Sequence, residues 1–522
     1  MIKERKGLAG IIAASSVGTL IEWYDFYIFG SLATVIATKF FPSGNQTVAL
    51  LSTLATFAAG FVVRPFGALF FGRLGDMIGR KHTFLVTLIL MGLSTFLIGC
   101  IPAYETIGFF APLLVLILRL LQGLALGGEY GGAATYVAEH SPANKRGYWT
   151  SWIQTTATIG LFVSLSVIIM TKSSMEEKTF NDWGWRVPFW ISIIMVGISV
   201  VIRMRMKESP LFAKVKAEGK TATNPLKESF GNKLNFKFVL LALFGATMGQ
   251  GVVWYTGQFY ALSFIENTLS IDVGQASKLI MWAILFATPF FVVFGTLSDK
   301  IGRKWIMLIG MLLAILSYRY IYTMMFEAGS VKHKEEISGR TNVQVQLISD
   351  EKNPGDSLQK TTVIKEFTDG TTFKEVKEQK IYGGHSQLKE TGQPKITRTV
   401  ILDTSSFWKL VLLVFVQIFF VTMVYGPIAA FLVEMFPTKI RYTSMSLPYH
   451  IGNGIFGGLL PAVATFLATR AAQLNDIAER AGEELPYDKP YLEGLWYPII
   501  LAGVCFVIGA LYINGKDHRI DD

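Results

Sequence analysis

Two acidic side chains lie three residues apart in the first long apolar run of the sequence. Glu22 and Asp25 belong to the stretch Ile-Glu-Trp-Tyr-Asp-Phe at residues 21–26. On a helix this spacing places both carboxyl groups on one face. Two carboxyl groups that share a low-dielectric site do not both ionise readily, so one of them would hold a proton. The pair is therefore a candidate proton carrier.

Two arginines in later apolar runs of the first half are candidate partners for a carboxylate. Arg64 stands in Val-Arg-Pro-Phe-Gly and Arg119 in Leu-Arg-Leu-Leu-Gln-Gly. A guanidinium stays charged and binds a carboxylate through two parallel hydrogen bonds. Either arginine could therefore hold an anionic substrate. The alternative for Arg64 is an ion pair with Glu22 and Asp25 that locks two helices together, and for Arg119 it is helix packing and coupling.

A third acidic residue, Glu129, lies within Gly-Gly-Glu-Tyr-Gly-Gly at residues 127–132. Charged groups inside apolar helices are costly and mark functional sites by default, so Glu129 is a further candidate for carrying protons. Its small neighbours allow helices to approach closely. The alternative is therefore a buried, hydrogen-bonded carboxylate that serves packing.

The second half of the chain offers neutral polar and aromatic side chains in its apolar runs. They could form hydrogen bonds and an aromatic wall around a substrate. Together with one tyrosine of the first run, the candidate substrate contacts are Tyr24, Gln250, Tyr255, Gln258, Tyr425 and Asn453. The runs contain no apparent set of nucleophile, base and orienting residue and no metal-ligand cluster, so an enzyme is not expected.

The composition indicates a membrane protein rather than a soluble one. Hydrophobic residues make up 51% of the 522, and charged residues only 16%. A bilayer core of about 30 Å needs about 20 apolar residues per helix. We expect twelve such spans, at about 10–38, 50–71, 82–103, 109–138, 147–171, 187–205, 238–266, 277–298, 305–326, 407–435, 443–469 and 493–514.

A repeated connector shows that the chain consists of two related halves. Residues 72–81 and 295–304 share seven of ten residues. A second pair of connectors repeats the spacing of Glu, Pro and Arg, at 139–146 and at 434–441. Internal repeats of this kind are common in transporters. The expected organisation is a first half at 1–205, a linker at 206–237 and a second half divided into 238–326 and 407–522 by an insertion at 327–406.

The distribution of basic residues predicts the topology. The formal net charge is +10, but the basic residues fall in short connectors on alternate sides, including the run from Arg203 to Lys237, so they indicate orientation rather than nucleic-acid binding. Both termini are expected in the cytoplasm and the insertion outside.

The insertion has a strand-like pattern. Val343, Val345 and Leu347 alternate with polar residues, and together with a turn at Asp369-Gly370 they predict a small β-rich domain. The alternative is a disordered polar loop.

Several motifs together resemble the major facilitator superfamily and, within it, the metabolite:proton symporters, a sugar-porter-like group. Beside the two connectors, these motifs are Glu22-Trp23-Tyr24-Asp25-Phe26, Arg64-Pro65-Phe66-Gly67, Gly128-Glu129-Tyr130-Gly131-Gly132, Glu208-Ser209-Pro210 and Tyr425-Gly426-Pro427. The resemblance covers the chain apart from 327–406. It implies an all-α fold of two pseudo-symmetric six-helix halves, with a pore lined by spans one, four, seven and ten.

The resemblance also implies a cytoplasmic gate made by the connectors. The gate residues would be Gly72, Asp76, Arg80, Glu139, Arg146, Asp299, Arg303, Glu434 and Arg441. A charge cluster of this kind can form in one state and break in the other. Met77 departs from the family pattern, because a basic residue usually stands there, as Lys300 does in the second copy.

The sequence therefore predicts a secondary active transporter that couples uptake of a small polar metabolite to protons by alternating access. The expected substrate bears a carboxylate, such as a dicarboxylate or tricarboxylate, an oxoacid, or a proline- or betaine-like zwitterion. The resemblance implies a monomer in a bacterial inner membrane, driven by the proton gradient without cofactor or metal. The alternatives are a proton-independent facilitator or exchanger, and a transporter-like sensor whose insertion binds an unidentified partner.

Overall fold

The structure is a computed structural model that describes residues 2–41, 46–337, 340–349, 356–384, 387–390 and 394–513. Within these residues, ten helical segments are long and apolar enough to cross a membrane. An eleventh span is formed if Ser15–Ser31 and Ala33–Phe40, which are bent by 64° at their junction, count as one. The expected multi-helix membrane architecture is confirmed.

The main helices follow one another along the chain with short connections. They are α1 (Ile2–Ser31), α2 (Ala33–Phe40), α3 (Gln46–Met77), α4 (Arg80–Cys100), α5 (Phe110–His140), α6 (Ala143–Ser173), α7 (Gly184–Met204), α8 (Lys233–Thr268), α9 (Val273–Ile301), α10 (Arg303–Gly329), α11 (Thr404–Met435), α12 (Thr438–Ala481) and α13 (Pro490–Tyr512). Helix α3 covers the predicted second span, residues 50–71. Helices α1–α7 form the first half and α8–α13 the second.

The repeated connectors turn the chain at equivalent glycines. Gly79, between α3 and α4, has φ +131°, and Gly302, between α9 and α10, has φ +95°. Side chains with a Cβ rarely adopt such angles, so both copies of the motif need glycine there. We call the face of the protein that carries these two connectors the connector face. The opposite face carries the insertion and is called the insertion face.

The predicted linker, 206–237, lies between the two halves. It contains the short helix Pro210–Ala217, and its last residues already belong to α8. Glu208 accepts hydrogen bonds from the backbone N–H groups of Arg80 and Lys81 at the N-terminus of α4. A carboxylate at this end of a helix is favourable because it meets unpaired N–H groups and the positive end of the helix dipole. The linker is thereby attached to the first connector.

Helices α8 and α12 depart from regular α-helical geometry where they approach each other. Helix α8 contains π-helical stretches at Leu243–Thr247 and Thr256–Tyr260, and α12 contains one at Ile451–Gly457. A Cβ on Gly251 would lie 2.4 Å from the carbonyl oxygen of Gly452, so the two backbones are in direct contact. Such bulges occur frequently at functional sites.

The insertion is a small antiparallel sheet, so the predicted β-rich domain is confirmed for the described residues. Its strands are β1 (Asn342–Ser349), β2 (Asp356–Glu366), β3 (Thr372–Gly384), β4 (Gln387–Glu390) and β5 (Lys395–Ile401). They pair in the order β1-β2-β3-β4, and β5 also pairs with β3. The predicted turn joins β2 to β3, where Gly370 has φ +92°. Helix α10 extends to Gly329 and α11 begins at Thr404, so the sheet occupies the middle of the predicted 327–406 segment.

Two sets of contacts attach the sheet to the membrane helices. Val400 of β5 exchanges backbone hydrogen bonds with Ser270 and Asp272, which lie between α8 and α9, at 2.7 and 2.9 Å. The Lys334 ammonium, whose side chain is 8% exposed, forms ion pairs with Asp369 and Asp403. Its remaining hydrogen bonds go to the hydroxyl groups of Thr371 and Ser406. We call these five polar residues, 334, 369, 371, 403 and 406, the insertion anchor.

Asp403 links the insertion anchor to α11, because its carboxylate caps that helix at the N–H groups of Ser405 and Ser406. Partial burial opposes ionisation of Asp403, but the hydrogen bonds from Ser406 and the charge of Lys334 outweigh it and lower its pKa to about 2. An aspartate in an unfolded chain has a pKa of about 3.9. A carboxyl group whose pKa falls on folding stabilises the folded form when the pH is above its pKa in the unfolded chain. This contribution disappears as the pH falls towards its pKa in the folded protein.

Replacing Lys334 by Met should therefore weaken the attachment of the sheet. The change leaves two carboxylates without their common cation, and we expect local opening to become easier by about 2 kcal/mol. Hydrogen exchange of residues 367–371 and 400–406 measures this effect. The wild-type protein should keep its protection above about pH 4 and lose it between about pH 4 and 2. The matched control is Lys360→Met, which removes a partly exposed pair with Glu378. Equal exchange in the two variants would contradict the prediction.

Candidate functional site

A central cavity lies between the two halves and is divided into two adjoining compartments. The first, of about 20 Å³, is lined only by residues of the first half, and the second, of about 30 Å³, by residues of both halves. Glu22, Phe61 and Arg64 line both. Each compartment has room for one or two waters. The walls must therefore separate before a metabolite can enter.

The first compartment contains a chain of hydrogen bonds that joins a carboxyl group to a guanidinium. The Thr95 hydroxyl donates to Asp25 Oδ2 at 2.6 Å, and Gln122 Nε2 donates to the same hydroxyl at 2.5 Å. Arg119 Nη1 donates to Gln122 Oε1 at 2.6 Å. Asp25 Oδ1 is buried and has no hydrogen-bond partner among the described residues. Helices α1, α4 and α5 thus hold a carboxyl group with one oxygen engaged and one available.

Close packing of α3 against α5 fixes the position of Arg64. A Cβ on Gly127 would lie 2.2 Å from the carbonyl oxygen of Arg64, and one on Gly123 would lie 2.2 Å from that of Gly60. Only glycine permits this approach of two backbones. The Arg64 guanidinium lies 4.2 Å from the centre of the Phe61 ring. The cation is thereby presented to both compartments, next to Glu22.

Glu129 is engaged elsewhere. Its Oε1 accepts from Arg203 Nη2 at 2.5 Å and its Oε2 from the Thr87 hydroxyl at 2.9 Å. Arg203, at the end of α7, also donates to the Phe84 carbonyl and is 1% exposed. It belongs to a buried ion pair rather than to a solvated basic run. This geometry favours the packing alternative for Glu129, because the pair fastens α5 to α7.

Aromatic rings form the wall of the second compartment. Trp23 of the first half faces Trp254 of the second, with ring centres 5.3 Å apart. Tyr425 and Tyr449 join their hydroxyl groups at 2.6 Å. Tyr130 stacks on Tyr449, with ring centres 3.7 Å apart. The two halves therefore meet through aromatic contacts around the compartment.

Most of the predicted site residues come together at this cavity. The lining includes Glu22, Asp25, Arg64, Arg119, Tyr255, Tyr425 and Asn453. Gln250 lies behind the lining, where its amide exchanges two hydrogen bonds with that of Asn453, at 2.9 and 3.1 Å.

Besides Gln250, two further predicted contacts lie outside the lining. Tyr24 points away, with its hydroxyl donating to the Pro188 carbonyl at 2.8 Å. Gln258 is buried but does not line either compartment. Sequence reasoning missed Thr95 and Gln122 as members of the site. Gln122 could have been found, because it follows Arg119 by three residues and shares its helix face.

The predicted gate residues form two clusters on the connector face. In the first cluster, the fully buried Arg80 pairs with Asp76 at 2.9 Å and with Glu139 at 3.5 Å. Arg441 of the second half donates to Glu139 at 3.0 Å. Asp76 accepts from the backbone N–H of Thr443, near the N-terminus of α12, at 2.8 Å.

The second cluster repeats this arrangement with the halves exchanged. Asp299 accepts from the backbone N–H groups of Gly147 and Tyr148, near the N-terminus of α6, both at 2.8 Å. Arg303 binds Glu434 through two hydrogen bonds of 2.9 and 2.8 Å. Arg146 of the first half lies 4.0 Å from Glu434.

Both clusters join the two halves and so close the connector face. Helix α3 lies against α12 in the first cluster, since a Cβ on Gly72 would lie 2.9 Å from Thr443 Cα. Arg80 also donates to the Thr438 carbonyl across the same boundary, at 2.6 Å. Opening this face would require these contacts to break together, as expected of a two-state element.

Comparisons with known proteins agree with this architecture. A family model described as "Sugar (and other) transporter" matches residues 11–238. The chain is 31% identical over 466 residues to the inner membrane metabolite transport protein YhjE of Escherichia coli (strain K12), and the match covers 88% of each chain. Among solved structures, the proton:xylose symporter XylE has the same fold, with a TM-score of 0.65 at 14% identity over 98% of this chain and 97% of its own.

Two further relatives from Escherichia coli (strain K12) match over a shorter part of the chain. The proline/betaine transporter is 36% identical over 57% of this chain and 61% of its own length. The alpha-ketoglutarate permease is 36% identical over 60% of this chain and 71% of its own length.

Proposed function

Because the chain belongs to the major facilitator superfamily and is a multi-pass membrane transporter of its sugar (and other) transporter family, we propose that it moves a small polar metabolite together with protons by alternating access. One observation carries the proposal. Asp25, with one buried oxygen available, shares a compartment with Arg64 and Arg119, and this compartment adjoins the one that both halves line. A proton acceptor and a substrate-binding cation at one site can couple two binding events.

The proton sites in this proposal are Asp25 and Glu22. Both carboxyl groups line the cavity, and Glu22 Oε2 also has no hydrogen-bond partner among the described residues. Glu129 is not assigned a proton, because Arg203 neutralises it. Protonation of Asp25 would change the charge balance in the compartment that holds Arg64 and Arg119. Through that change, a bound proton would alter the affinity for substrate. It would also shift the equilibrium between the two positions of the halves.

The lining of the cavity supports a substrate that bears a carboxylate. Arg64 offers a cation at the junction of the two compartments, and aromatic faces of Trp23, Trp254 and Tyr255 lie beside it. Aromatic rings bind cationic or apolar groups, whereas a guanidinium binds a carboxylate. The arrangement suits a zwitterion as well as an oxoacid. The relatives named for proline and betaine and for alpha-ketoglutarate are consistent with both choices.

We propose that the connector face is cytoplasmic, in a bacterial inner membrane. The basic connectors cluster on that face, and short loops rich in Lys and Arg remain inside. The insertion then lies outside and both termini lie inside. Protons and substrate would enter from the insertion face while the two clusters stay closed, and they would leave after the clusters open. The protein would act as a monomer, since each chain contains both halves of the pathway.

Replacing Arg64 by Gln should raise the half-saturating substrate concentration at least about tenfold, since a hydrogen bond to a charged group contributes about 1.5–3 kcal/mol. Uptake kinetics at fixed pH measure the effect. Tyr24→Phe is the control, because its hydroxyl binds the Pro188 carbonyl outside the cavity. Unchanged affinity in the Arg64 variant, or an equal loss in both, would remove Arg64 from the substrate site.

The transport proposal is tested by substrate-induced pH changes in de-energised cells or proteoliposomes. A panel of monocarboxylates, dicarboxylates, tricarboxylates, amino acids and betaines is added in turn. Alkalinisation of the outside after one addition establishes symport and names the substrate class. Uptake of a labelled compound without a pH change would instead establish a facilitator or exchanger.

A further inference from the structure

An apolar groove on the outer surface runs along the seam between the two halves. It lies between α6 of the first half and α9 of the second and encloses about 930 Å³. Its lining includes the large exposed side chains of Trp152, Ile159 and Val293, which are 40%, 47% and 51% exposed. Both helices are membrane spans. The groove therefore faces hydrocarbon rather than water.

The two helices that form the walls of the groove contact each other at two levels. The α-helical hydrogen bonding of α6 is interrupted at Thr155, between two α-helical stretches, and α9 contains Pro289. Deeper in the membrane, Thr158 and Thr288 join their hydroxyl groups at 2.6 Å. At the connector face a Cβ on Gly147 would lie 2.3 Å from the Gly295 carbonyl oxygen. Helices α6 and α9 are in contact at both levels. The groove is therefore a surface depression along a closed boundary between the two halves.

The length of the groove matches one leaflet of a bilayer. Its lining on α9 extends from Leu285 to Lys300. These two residues are fifteen positions apart, which corresponds to about 22 Å of helix at 1.5 Å per residue. One leaflet with its headgroup region is about half of a bilayer of about 40–45 Å. A single acyl chain can therefore lie along the groove with its headgroup at the connector face.

A cation stands at the headgroup end. Lys300 lines the groove, is exposed, and forms no ion pair with the residues that the structure describes. The equivalent position in the other connector is Met77. At this position, a cation is therefore present only in the connector that borders the groove. A lysine near the membrane surface attracts anionic lipid.

We propose that the groove between α6 and α9 binds one anionic phospholipid, with an acyl chain along the apolar walls and the phosphate at Lys300. The occupant is hydrocarbon because the walls are apolar and lie in the membrane. Its headgroup is anionic because the exposed charge at the mouth is positive. The site does not overlap the central cavity, and its residues are not among those proposed to bind substrate or protons.

Native mass spectrometry of the purified full-length protein tests the site, with phosphatidylglycerol and phosphatidylcholine of the same chains as probes. Wild-type protein should prefer phosphatidylglycerol about fivefold, as expected for one lysine near the surface. Lys300→Gln should remove this preference. Ile159→Trp should fill the groove and weaken binding of both lipids about tenfold. Val293→Trp fills it from the opposite wall and serves if the first variant does not fold.

Matched controls separate the groove from general contact with lipid. Leu316→Trp enlarges another exposed side chain, on α10, and Lys409→Gln removes an exposed lysine at the start of α11. Both should bind lipid as the wild type does. Normal binding in the two groove-filling variants would overturn the site. If the groove-filling variants bind lipid more weakly but the wild-type protein shows no preference for phosphatidylglycerol, the proposed anionic headgroup would be wrong. The groove would then be a site for an acyl chain only.

Discussion

Asp25→Asn should abolish uphill accumulation of the substrate while preserving exchange of substrate across the membrane. Asparagine has the shape of the protonated carboxyl group and can still accept the hydrogen bond from Thr95. It cannot release a proton, however, so the transport cycle would lose its coupling to the proton gradient. The transporter would then equalise substrate concentrations on the two sides instead of concentrating the substrate.

The measurement is a comparison of two assays in the same vesicles. With an imposed pH gradient, the substrate concentration inside should rise only to the concentration outside. Counterflow of labelled against unlabelled substrate should continue. Asp182→Asn is the control for removing one carboxylate, because Asp182 lies at the surface, 3.9 Å from Lys39. Uphill uptake by Asp25→Asn at the wild-type level would exclude Asp25 as the coupling carboxyl.

Glu139→Gln should shift the protein away from the state in which the connector face is closed. Glu139 neutralises Arg80 and Arg441, and its side chain is fully buried with that of Arg80. Removing one partner from a buried ion pair costs about 3–5 kcal/mol, because a charge is left uncompensated. The bond between Arg441 and Glu139 crosses the boundary between the halves. The loss therefore falls mainly on the closed state.

Glu434→Gln is the matched control, because Glu434 holds the equivalent place in the second cluster. Its side chain is 25% exposed, and that of Arg146, which faces it from the first half at 4.0 Å, is 19% exposed. Solvent screens such pairs, so we expect an effect of about 1 kcal/mol or less. The two variants thus compare the same substitution in two repeats that differ in burial.

A cysteine at Ser446 reports the opening of the connector face. Ser446 is fully buried in α12, where a Cβ on Gly131 would contact its hydroxyl. With Cys100 and Cys505 replaced by Ser, a membrane-impermeant maleimide should label this cysteine faster in Glu139→Gln than in Glu434→Gln. Equal labelling of both variants and the parent protein would show that the first cluster does not stabilise the closed state.

Local sequence was sufficient to predict the class of protein and its repeated organisation. Apolar runs of about 20 residues predict membrane helices because a bilayer leaves no other partner for the backbone. The repeated connectors predict two related halves, and Gly79 and Gly302 have the positive φ angles that explain glycine at both positions. Alternation in β1 and the turn at Gly370 likewise depend on neighbouring residues only.

Tertiary structure decided which polar side chains meet. Glu22 and Asp25 share a helix face by their spacing alone, but Thr95 reaches Asp25 from a position 70 residues away. Tyr24 lies between those two acids in sequence, yet its ring points towards Pro188. Arg203 has the sequence context of a basic connector and instead neutralises Glu129. Such contacts depend on how each helix is rotated and shifted against its neighbours, and helical periodicity within one segment carries no information about either.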